Sequence, residues 1–168
     1  VVKASEAKNW LQKCVRGKQE ATRWTTPDGL PVVQKYKAKK PKDLQVLIDG
    51  ERIRNKYKVP TDAVDTRKMA SAISPNVIHS IDATHIRMVA VAASGEQMHS
   101  LAMIHDSFGC HAADAGRFFN IIREQFIELY STEVAKMLNE ELSGGDIELP
   151  TMGNLDLGGI VETDYSFA

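Results

Sequence analysis

One aspartate in the sequence occupies a position suited to metal chemistry. Asp106 follows residues 100–104, a short and almost wholly apolar run that predicts a buried strand. A carboxylate held in a short turn after a strand can bind a hard cation such as Mg²⁺. Two-metal phosphoryl transfer uses such carboxylates to hold two cations about 4 Å apart. An aspartate in a turn more often bonds its own backbone, so the residues alone leave both interpretations open.

The residues around Asp106 suggest two other chemistries that their spacing argues against. His105, Asp106 and Ser107 are the residue types of a serine hydrolase triad, but they are consecutive. Neighbours in an extended segment point to opposite faces, whereas triad members converge from separate elements. Candidate zinc ligands are also present, namely His79, His85, His99, His105, Cys110 and His111. Because no pair of them has the spacing of a closed zinc site, we expect neither a triad nor structural zinc.

The net charge is −1, but the charges are divided unevenly along the chain. Residues 1–58 contain 15 Lys and Arg against 6 Asp and Glu, whereas residues 59–168 contain 6 against 16. A strongly basic half favours contact with a polyanion. The alternative is that the two halves neutralise each other across an internal interface.

The basic half contains the clearest local pattern, a β-hairpin over residues 44–57. An Asp-Gly pair at 49–50 separates two strand-like runs, and this pair favours a tight hairpin turn because glycine accepts a positive φ. Arg52, Arg54 and Lys56 alternate along the second run and share one face, which could contact phosphates or a DNA groove. A basic run that contains Lys39 and Lys40 precedes the hairpin. The alternative is a solvated edge strand whose charges discourage aggregation.

The remaining elements are predicted from apolar periodicity and turn signals. The expected elements are a helix over 4–19, a turn at 26–29, a strand over 30–34, a helix from Ser74 and Pro75 to about 93, and a helix from 114 to 142 broken at 131–132. Ser74 would be the helix cap and Pro75 the first helical residue. Gly144 and Gly145 would end the last helix.

Composition excludes several classes of protein. The chain is 43% hydrophobic, which is too apolar for a disordered tail, yet it has no run of the roughly 20 apolar residues that span a membrane. Two cysteines are too few for a disulfide framework and fit a reducing cytosol. The first residues contain neither an initiator Met nor a signal peptide, so we expect the chain to begin inside a larger protein.

Several motifs, in the right order, resemble the C-terminal portion of single-subunit, phage-type DNA-dependent RNA polymerases. They are Ser-Pro-Asn-Val-Ile-His-Ser-Ile-Asp-Ala-Thr-His at 74–85, Ala-Met-Ile-His-Asp-Ser-Phe-Gly at 102–109, Trp-Thr-Thr-Pro-Asp-Gly-Leu-Pro-Val at 24–32, and the tail at 153–155 and 164–168. Mitochondrial polymerases share this family, but the Ser-Phe-Gly after the aspartate is more similar to the bacteriophage branch. A phage protein would act in the cytoplasm of an infected bacterium.

The resemblance implies an α+β fold, with a palm portion in which a short antiparallel β-hairpin packs on long helices. Residues 1–73 would be the C-terminal part of the fingers, with the promoter specificity hairpin at 42–59. Residues 74–168 would be the C-terminal half of the palm, ending in the C-terminal foot. The hairpin departs in length and sequence from the phage pattern, so the element is carried over without any base-reading residue.

The resemblance also implies roles for individual residues. Asp106 matches one of two metal-binding catalytic aspartates, and His105 matches the histidine beside it. His79 matches a histidine near the growing base pair, while Phe167 and Ala168 match the foot. The charge pattern, and not the resemblance, makes Arg52, Arg54, Lys56, Lys39 and Lys40 the expected nucleic-acid contacts. For Asp82 and His85, which also match motif positions, we expect a structural role in holding their helix.

The implied reaction is template-directed transfer of nucleotides from NTPs to the 3′ end of RNA. It needs two Mg²⁺ ions, shared between Asp106 and a carboxylate of an upstream segment that nothing in this chain matches. The expected partners are the remainder of the polymerase, promoter and template DNA, nascent RNA and NTPs, and the chain alone should be inactive. The alternatives are a related DNA polymerase, in which Glu usually stands where Ser107 does, and a non-catalytic nucleic-acid-binding module.

Overall fold

The computed structural model describes residues 2–163 as a mixed α and β chain. Its helices are α1 (Val2–Val15), α2 (Thr66–Gly95), α3 (Ala115–Tyr130) and α4 (Val134–Ser143), with short 3₁₀ turns at Ala112–Asp114 and Gly158–Ile160. Its strands are β1 (Thr22–Thr25), β2 (Pro31–Gln34), β3 (Lys37–Ile48), β4 (Glu51–Val64), β5 (Leu101–Ile104) and β6 (Ser107–Cys110). They pair as three antiparallel hairpins, β1–β2, β3–β4 and β5–β6. The predicted foot residues Phe167 and Ala168 lie outside the described residues.

The second helix begins earlier than the sequence predicted. It starts at Thr66, where Asp65 caps it by accepting a hydrogen bond from the Lys68 N–H at 3.0 Å, and Pro75 lies inside it. Proline removes one helical hydrogen bond. The helix nevertheless continues because a stripe of buried side chains runs across the proline, at Met69, Ile73, Val77 and Ile81. Ser74 therefore caps nothing, and its hydroxyl donates instead to the Lys8 carbonyl at 3.3 Å.

The long helix α2 contacts two separate hydrophobic clusters. The first contains residues of α1, β1, α2, α3 and α4: Trp10, Leu11, Cys14, Val15, Trp24, Ile73, Val77, Ile81, Leu129, Leu138 and Leu142. The second contains Val89, Ala93, Met98, Phe118 and Ile121. The hairpin β5–β6 packs on this second cluster through Met103 and Phe108, which lie opposite each other in the register. Packing of α2 and α3 therefore fixes the turn that contains Asp106.

The hairpin β3–β4 is longer than predicted and lies almost wholly in solvent. Its strands cover 37–48 and 51–64, beyond the expected 42–59, although the turn is the predicted Asp-Gly pair. Asp49 and Gly50 have φ values of 50° and 83°, as the tight hairpin turn requires. At the base of the hairpin the Asp65 N–H donates to the Tyr36 carbonyl at 2.9 Å, so this end is joined to the start of α2.

The broken C-terminal helix matches its prediction closely. α3 ends at Tyr130, α4 resumes at Val134, and Gly144 ends α4 with a φ of 71°. Within residues 2–163, none of the helices is both long enough and apolar enough to cross a membrane.

Candidate functional site

The turn between β5 and β6 consists of His105 and Asp106 alone. Ile104 pairs with Ser107 across the hairpin, so these two residues make the whole connection. His105 has a φ of 54°, in the left-handed region that glycine usually occupies in such turns. A non-glycine residue there costs backbone strain, which is found most often at functional sites.

The carboxylate of Asp106 is exposed and available to a ligand. It makes no hydrogen bond or ion pair with any residue from 2 to 163, so the turn does not use it to bond its own backbone. His105 beside it is exposed as well. The sequence had left open whether Asp106 serves its own turn or a cation, and within residues 2–163 this geometry argues against the first interpretation.

A cleft of about 620 Å³ lies between this turn and α2. It is lined by His79, Asp82, Ala83, Ile86, His105 and Asp106. The four residues from α2 are spaced i, i+3, i+4 and i+7, so they form one face of the helix. The structure thus brings together the three residues predicted as catalytic, His79, His105 and Asp106.

Asp82 departs from the role expected of it. It was expected to hold its helix, but it is exposed and lines both the cleft and a smaller cavity of about 110 Å³ beside it. Burial, followed by the charge of Asp82, raises the pKa of Tyr130 on the wall of the smaller cavity. The position of Asp82 three residues after His79 was the available sequence signal that the two share a face.

His85 is a packing residue, as its expected structural role suggested. Its Nε2 lies 2.9 Å from the Ile122 carbonyl, and its ring meets Phe108 and Phe126 edge-on at centroid distances of 5.6 Å. Burial lowers the pKa of His85 below the usual histidine value, so the neutral ring is favoured and Nε2–H donates to Ile122. His85 thereby joins α2, β6 and α3 behind the Asp106 turn.

The sequence predicted a turn at 26–29 but not the side-chain contacts that join this turn to α2. Arg87 binds the Asp28 carboxylate through both Nε and Nη2, at 2.5 and 2.8 Å. Thr84 also donates to Asp28, at 3.1 Å. The hydrogen bonds from Arg87 hold the pKa of Asp28 well below its usual range. These contacts fix the β1–β2 turn to α2 at Thr84 and Arg87, which lie beside the residues of the helix that line the cleft.

The residues that the structure describes offer at most some of the ligands that a metal ion would need. No group of three or more His, Cys, Asp and Glu among residues 2–163 is arranged to hold a metal ion. Asp106 and Asp82 offer carboxylate oxygens, the donors that Mg²⁺ prefers. The donor set therefore fits a hard cation whose remaining ligands come from elsewhere, and it does not form a complete cage.

The predicted nucleic-acid contacts divide between the two faces of the β3–β4 hairpin. Lys39 shares a face with Arg52, Arg54 and Lys56, because residues opposite each other in the register lie on one side of the sheet. Lys40 lies on the other face, which also exposes the apolar side chains of Leu44, Val46, Ile48, Ile53 and Tyr57. The first face is basic but not wholly cationic, because Lys56 stands opposite Asp43 and Arg52 opposite Leu47.

Comparison with known proteins identifies the family. The family model for DNA-dependent RNA polymerases matches residues 1–145. Over 195 aligned positions the chain is 35% identical to the DNA-directed RNA polymerase of Enterobacteria phage T3 and 34% identical to T7 RNA polymerase of Escherichia phage T7. Both alignments cover 100% of this chain, which spans only 22% of the length of either relative.

Organellar polymerases are similar to the same degree. The mitochondrial DNA-directed RNA polymerase 1 of Arabidopsis thaliana is 38% identical over 178 positions, covering 98% of this chain and 17% of the relative. Identity alone therefore does not separate the phage branch from the organellar one. All of these matches are DNA-dependent RNA polymerases, and the family model covers most of the chain. The chain therefore belongs to the phage-type family of DNA-dependent RNA polymerases.

Proposed function

We propose that this chain is the C-terminal segment of an RNA polymerase that transfers nucleotides from NTPs to the 3′ end of RNA on a DNA template. The observation that carries the proposal is the Asp106 carboxylate, which has no partner among residues 2–163 and lines, on a two-residue turn, a cleft that it shares with His79. Phosphoryl transfer depends on positioning and on charge stabilisation, and such a turn offers both. Family membership makes a related DNA polymerase the weaker alternative.

Asp106 would bind Mg²⁺ together with a carboxylate from an upstream segment, and Asp82 lies close enough to line the same cleft. The two ions, when bound, would activate the attacking 3′ oxygen and stabilise the charge on the leaving pyrophosphate. His105, beside the metal ligand, would support the primer end. His79, on the helix face opposite, would lie against the growing base pair. Packing of α2 in two hydrophobic clusters would hold His79 and Asp82 in place along the cleft.

The parts of the chain would correspond to two parts of the polymerase. The segment before α2 would belong to the fingers, and the rest would be the second half of the palm, with the foot at Phe167 and Ala168. Because α2 is one continuous helix from Thr66 to Gly95, we place the division at its start and not at residue 74. The β3–β4 hairpin would be the promoter specificity hairpin, with its basic face toward DNA. The Ser-Phe-Gly at 107–109 favours a phage origin, and so the cytoplasm of an infected bacterium.

The decisive experiment replaces Asp106 in the complete polymerase. Asp106→Asn keeps the side chain's size but removes the charge, so elongation should fall by at least about 10³-fold, the order of loss seen when a transition-state charge stabiliser is removed. Promoter binding should change less than twofold, because the turn lies away from the basic hairpin face. RNA synthesis on a promoter template and DNA affinity would both be measured.

Asp146→Asn is the matched control, because this exposed aspartate lies on the segment after α4, away from the cleft. It should leave both measurements unchanged. Elongation that survives Asp106→Asn would contradict the proposed role of Asp106. Intact DNA binding combined with indifference to Asp106→Asn would instead favour a non-catalytic nucleic-acid-binding module.

A further inference from the structure

The β3–β4 hairpin is held only near its base in the part of the chain that the structure describes. Every residue from 39 to 58 is exposed, and the two strands pair with no strand but each other. A rotation of about 10° at the base of such a hairpin, which is about 40 Å long, would move its tip by about 7 Å. Functional contacts tolerate displacements of only about 0.5 Å. The contacts at the base therefore decide where the tip of the hairpin lies.

A buried glutamine joins the strand before the hairpin to α2. Gln34, the last residue of β2, has only 3% of its surface exposed. Its Nε2 donates to the Met69 carbonyl at 2.9 Å, and its Oε1 accepts from Asn76 Nδ2 at 2.7 Å. Both ends of the buried amide are thus bonded, as a buried polar group requires. Because Met69 and Asn76 are about two turns apart on α2, one side chain of β2 is held at two levels of the helix.

Tyr36 extends these contacts to the first residues of the hairpin. Its hydroxyl accepts a second hydrogen bond from Asn76 Nδ2 at 3.2 Å, and its carbonyl accepts one from the Asp65 N–H at 2.9 Å. The Lys68 ammonium lies 4.6 Å from the centre of its ring, close enough for a cation–π interaction. Tyr36 precedes β3 and Asp65 follows β4, so both strands are joined to α2 here. We call Gln34, Tyr36 and Asn76 the base network.

The base network and the cleft share one face of α2. Asn76, His79 and Ala83 are spaced i, i+3 and i+7, and the last two line the cleft. The hairpin is therefore held by the same helix, and on the same side of it, as the candidate site. Its direction is set relative to that site and not to a distant part of the chain.

We propose that Gln34, Tyr36 and Asn76 are positioning residues that fix the direction of the β3–β4 hairpin relative to α2, and so the place where its basic face meets promoter DNA. The identity of the DNA partner rests on the proposed function. The direction of the hairpin does not, so the two can fail separately.

Hydrogen–deuterium exchange of the complete polymerase, without DNA, tests whether the base network holds the hairpin. Asn76→Leu keeps the branched shape of the side chain but removes the amide that donates to Gln34 and Tyr36. Exchange of the backbone amides at 62–65 should rise about tenfold, because two hydrogen bonds are lost and a buried oxygen is left without a donor. Asn120→Leu, the same change at an exposed position of α3, is the control and should leave this exchange unchanged.

Tyr36→Phe is a milder variant and covers the case in which Asn76→Leu does not fold. It removes only the hydroxyl, so exchange at 62–65 should rise about threefold. It should add nothing in the Asn76→Leu background, since both changes remove the same hydrogen bond. Tyr57→Phe, the same change on the exposed part of the hairpin, is its control. Unaltered exchange at 62–65 in every folded variant of the base network would show that the proposal is wrong.

DNA binding gives the readout that a general loss of stability would not produce. In Asn76→Leu the affinity for promoter DNA should fall about tenfold, because only molecules whose hairpin points in the right direction can bind. Affinity for DNA without a promoter should fall by less than about twofold, because the basic side chains that contact phosphates are all kept. Equal losses for the two kinds of DNA, or faster exchange with unchanged promoter affinity, would overturn the positioning role.

Extension of an RNA primer already paired with its template separates this proposal from the proposed function. Asn76→Leu should keep this activity, since no promoter has to be found, whereas Asp106→Asn should lose it. Loss of primer extension in Asn76→Leu would contradict a role confined to the hairpin. Survival of primer extension in Asp106→Asn would contradict the proposed function and leave the exchange results standing.

Discussion

At the scale of single residues, the unusual feature of the site is the backbone of His105. It adopts a positive φ of 54° where most hairpins have glycine, and it stands next to the proposed metal ligand. Gln97, exposed just after α2, has a φ of 62° and offers a second non-glycine residue in the same region. The pair allows backbone strain to be separated from side-chain function.

We expect His105→Gly to leave the free energy of unfolding equal or higher by up to about 1 kcal/mol, because relief of strain offsets the extra chain entropy of glycine. The same variant of the complete polymerase should lose elongation activity, because the imidazole is gone. Urea unfolding of this chain and RNA synthesis by the complete enzyme measure the two effects.

Gln97→Gly is the control, since it should show a similar change in stability with no change in elongation. A His105→Gly enzyme that elongates as fast as the unaltered one would show that the imidazole has no part in the reaction.

At the scale of elements, the β3–β4 hairpin stands out because, in the part of the chain that the structure describes, its two long strands pair with no strand but each other. An isolated two-stranded hairpin is at best marginally stable in water. Here one face presents exposed apolar side chains, including Leu44, Val46 and Ile53, and the other presents Lys39, Arg52, Arg54 and Lys56. The two faces therefore suit different surroundings, and only the basic one suits phosphates.

The basic face predicts how DNA binding depends on salt. Each phosphate contact contributes a slope of about −0.9 to the plot of log affinity against log salt. Replacing Arg52, Arg54 and Lys56 together by Gln should make that slope shallower by up to about 3 and weaken binding to the promoter at low salt. Fluorescence anisotropy at several salt concentrations gives the slope.

Lys40→Gln with Lys42→Gln is the matched control, because both lie on the opposite face of β3. It should change the slope by less than 1. Equal changes from the two sets would indicate binding through general charge and not through this face.

Structural features that are caused by neighbouring residues could be predicted from the sequence, whereas features that are caused by packing between distant residues could not. The Asp49–Gly50 turn and the Gly144 helix end followed from neighbouring residues and were placed correctly. The strand before Asp106 was placed correctly but was wrongly predicted to be buried, because only one of its faces packs on the second cluster and Ala102 and Ile104 on the other face are exposed. The start of α2 was wrong because Pro75 was given a local meaning, whereas buried packing continues the helix across it.

The unpredicted part of the site consists of contacts between distant residues. Arg87 and Asp28 are 59 residues apart, and Gln34 and Asn76 are 42 apart. No periodicity or motif spacing reports such pairs, because they arise only when separate elements pack. The gathering of His79, His105 and Asp106 was expected from the family resemblance and not from spacing.

At the scale of the whole molecule, the proposed function implies that the chain contains one side of a reaction site. The cleft is open, and the part of the chain that the structure describes lacks a full set of metal ligands. We therefore expect the 168 residues alone to make no RNA on a promoter template, at any Mg²⁺ concentration, and the complete polymerase to make it. Incorporation of labelled NTPs is the measurement, and any template-dependent product from the isolated chain would contradict the need for an upstream carboxylate.

The continuous helix α2 has a consequence for how the enzyme would handle its substrates. A helix of 30 residues is about 45 Å long, and this one is embedded near both of its ends while the cleft residues lie midway. Bending α2 would disturb the packing of both hydrophobic clusters at once. Other parts of the polymerase would therefore open and close around each incoming nucleotide, while this segment stays in place.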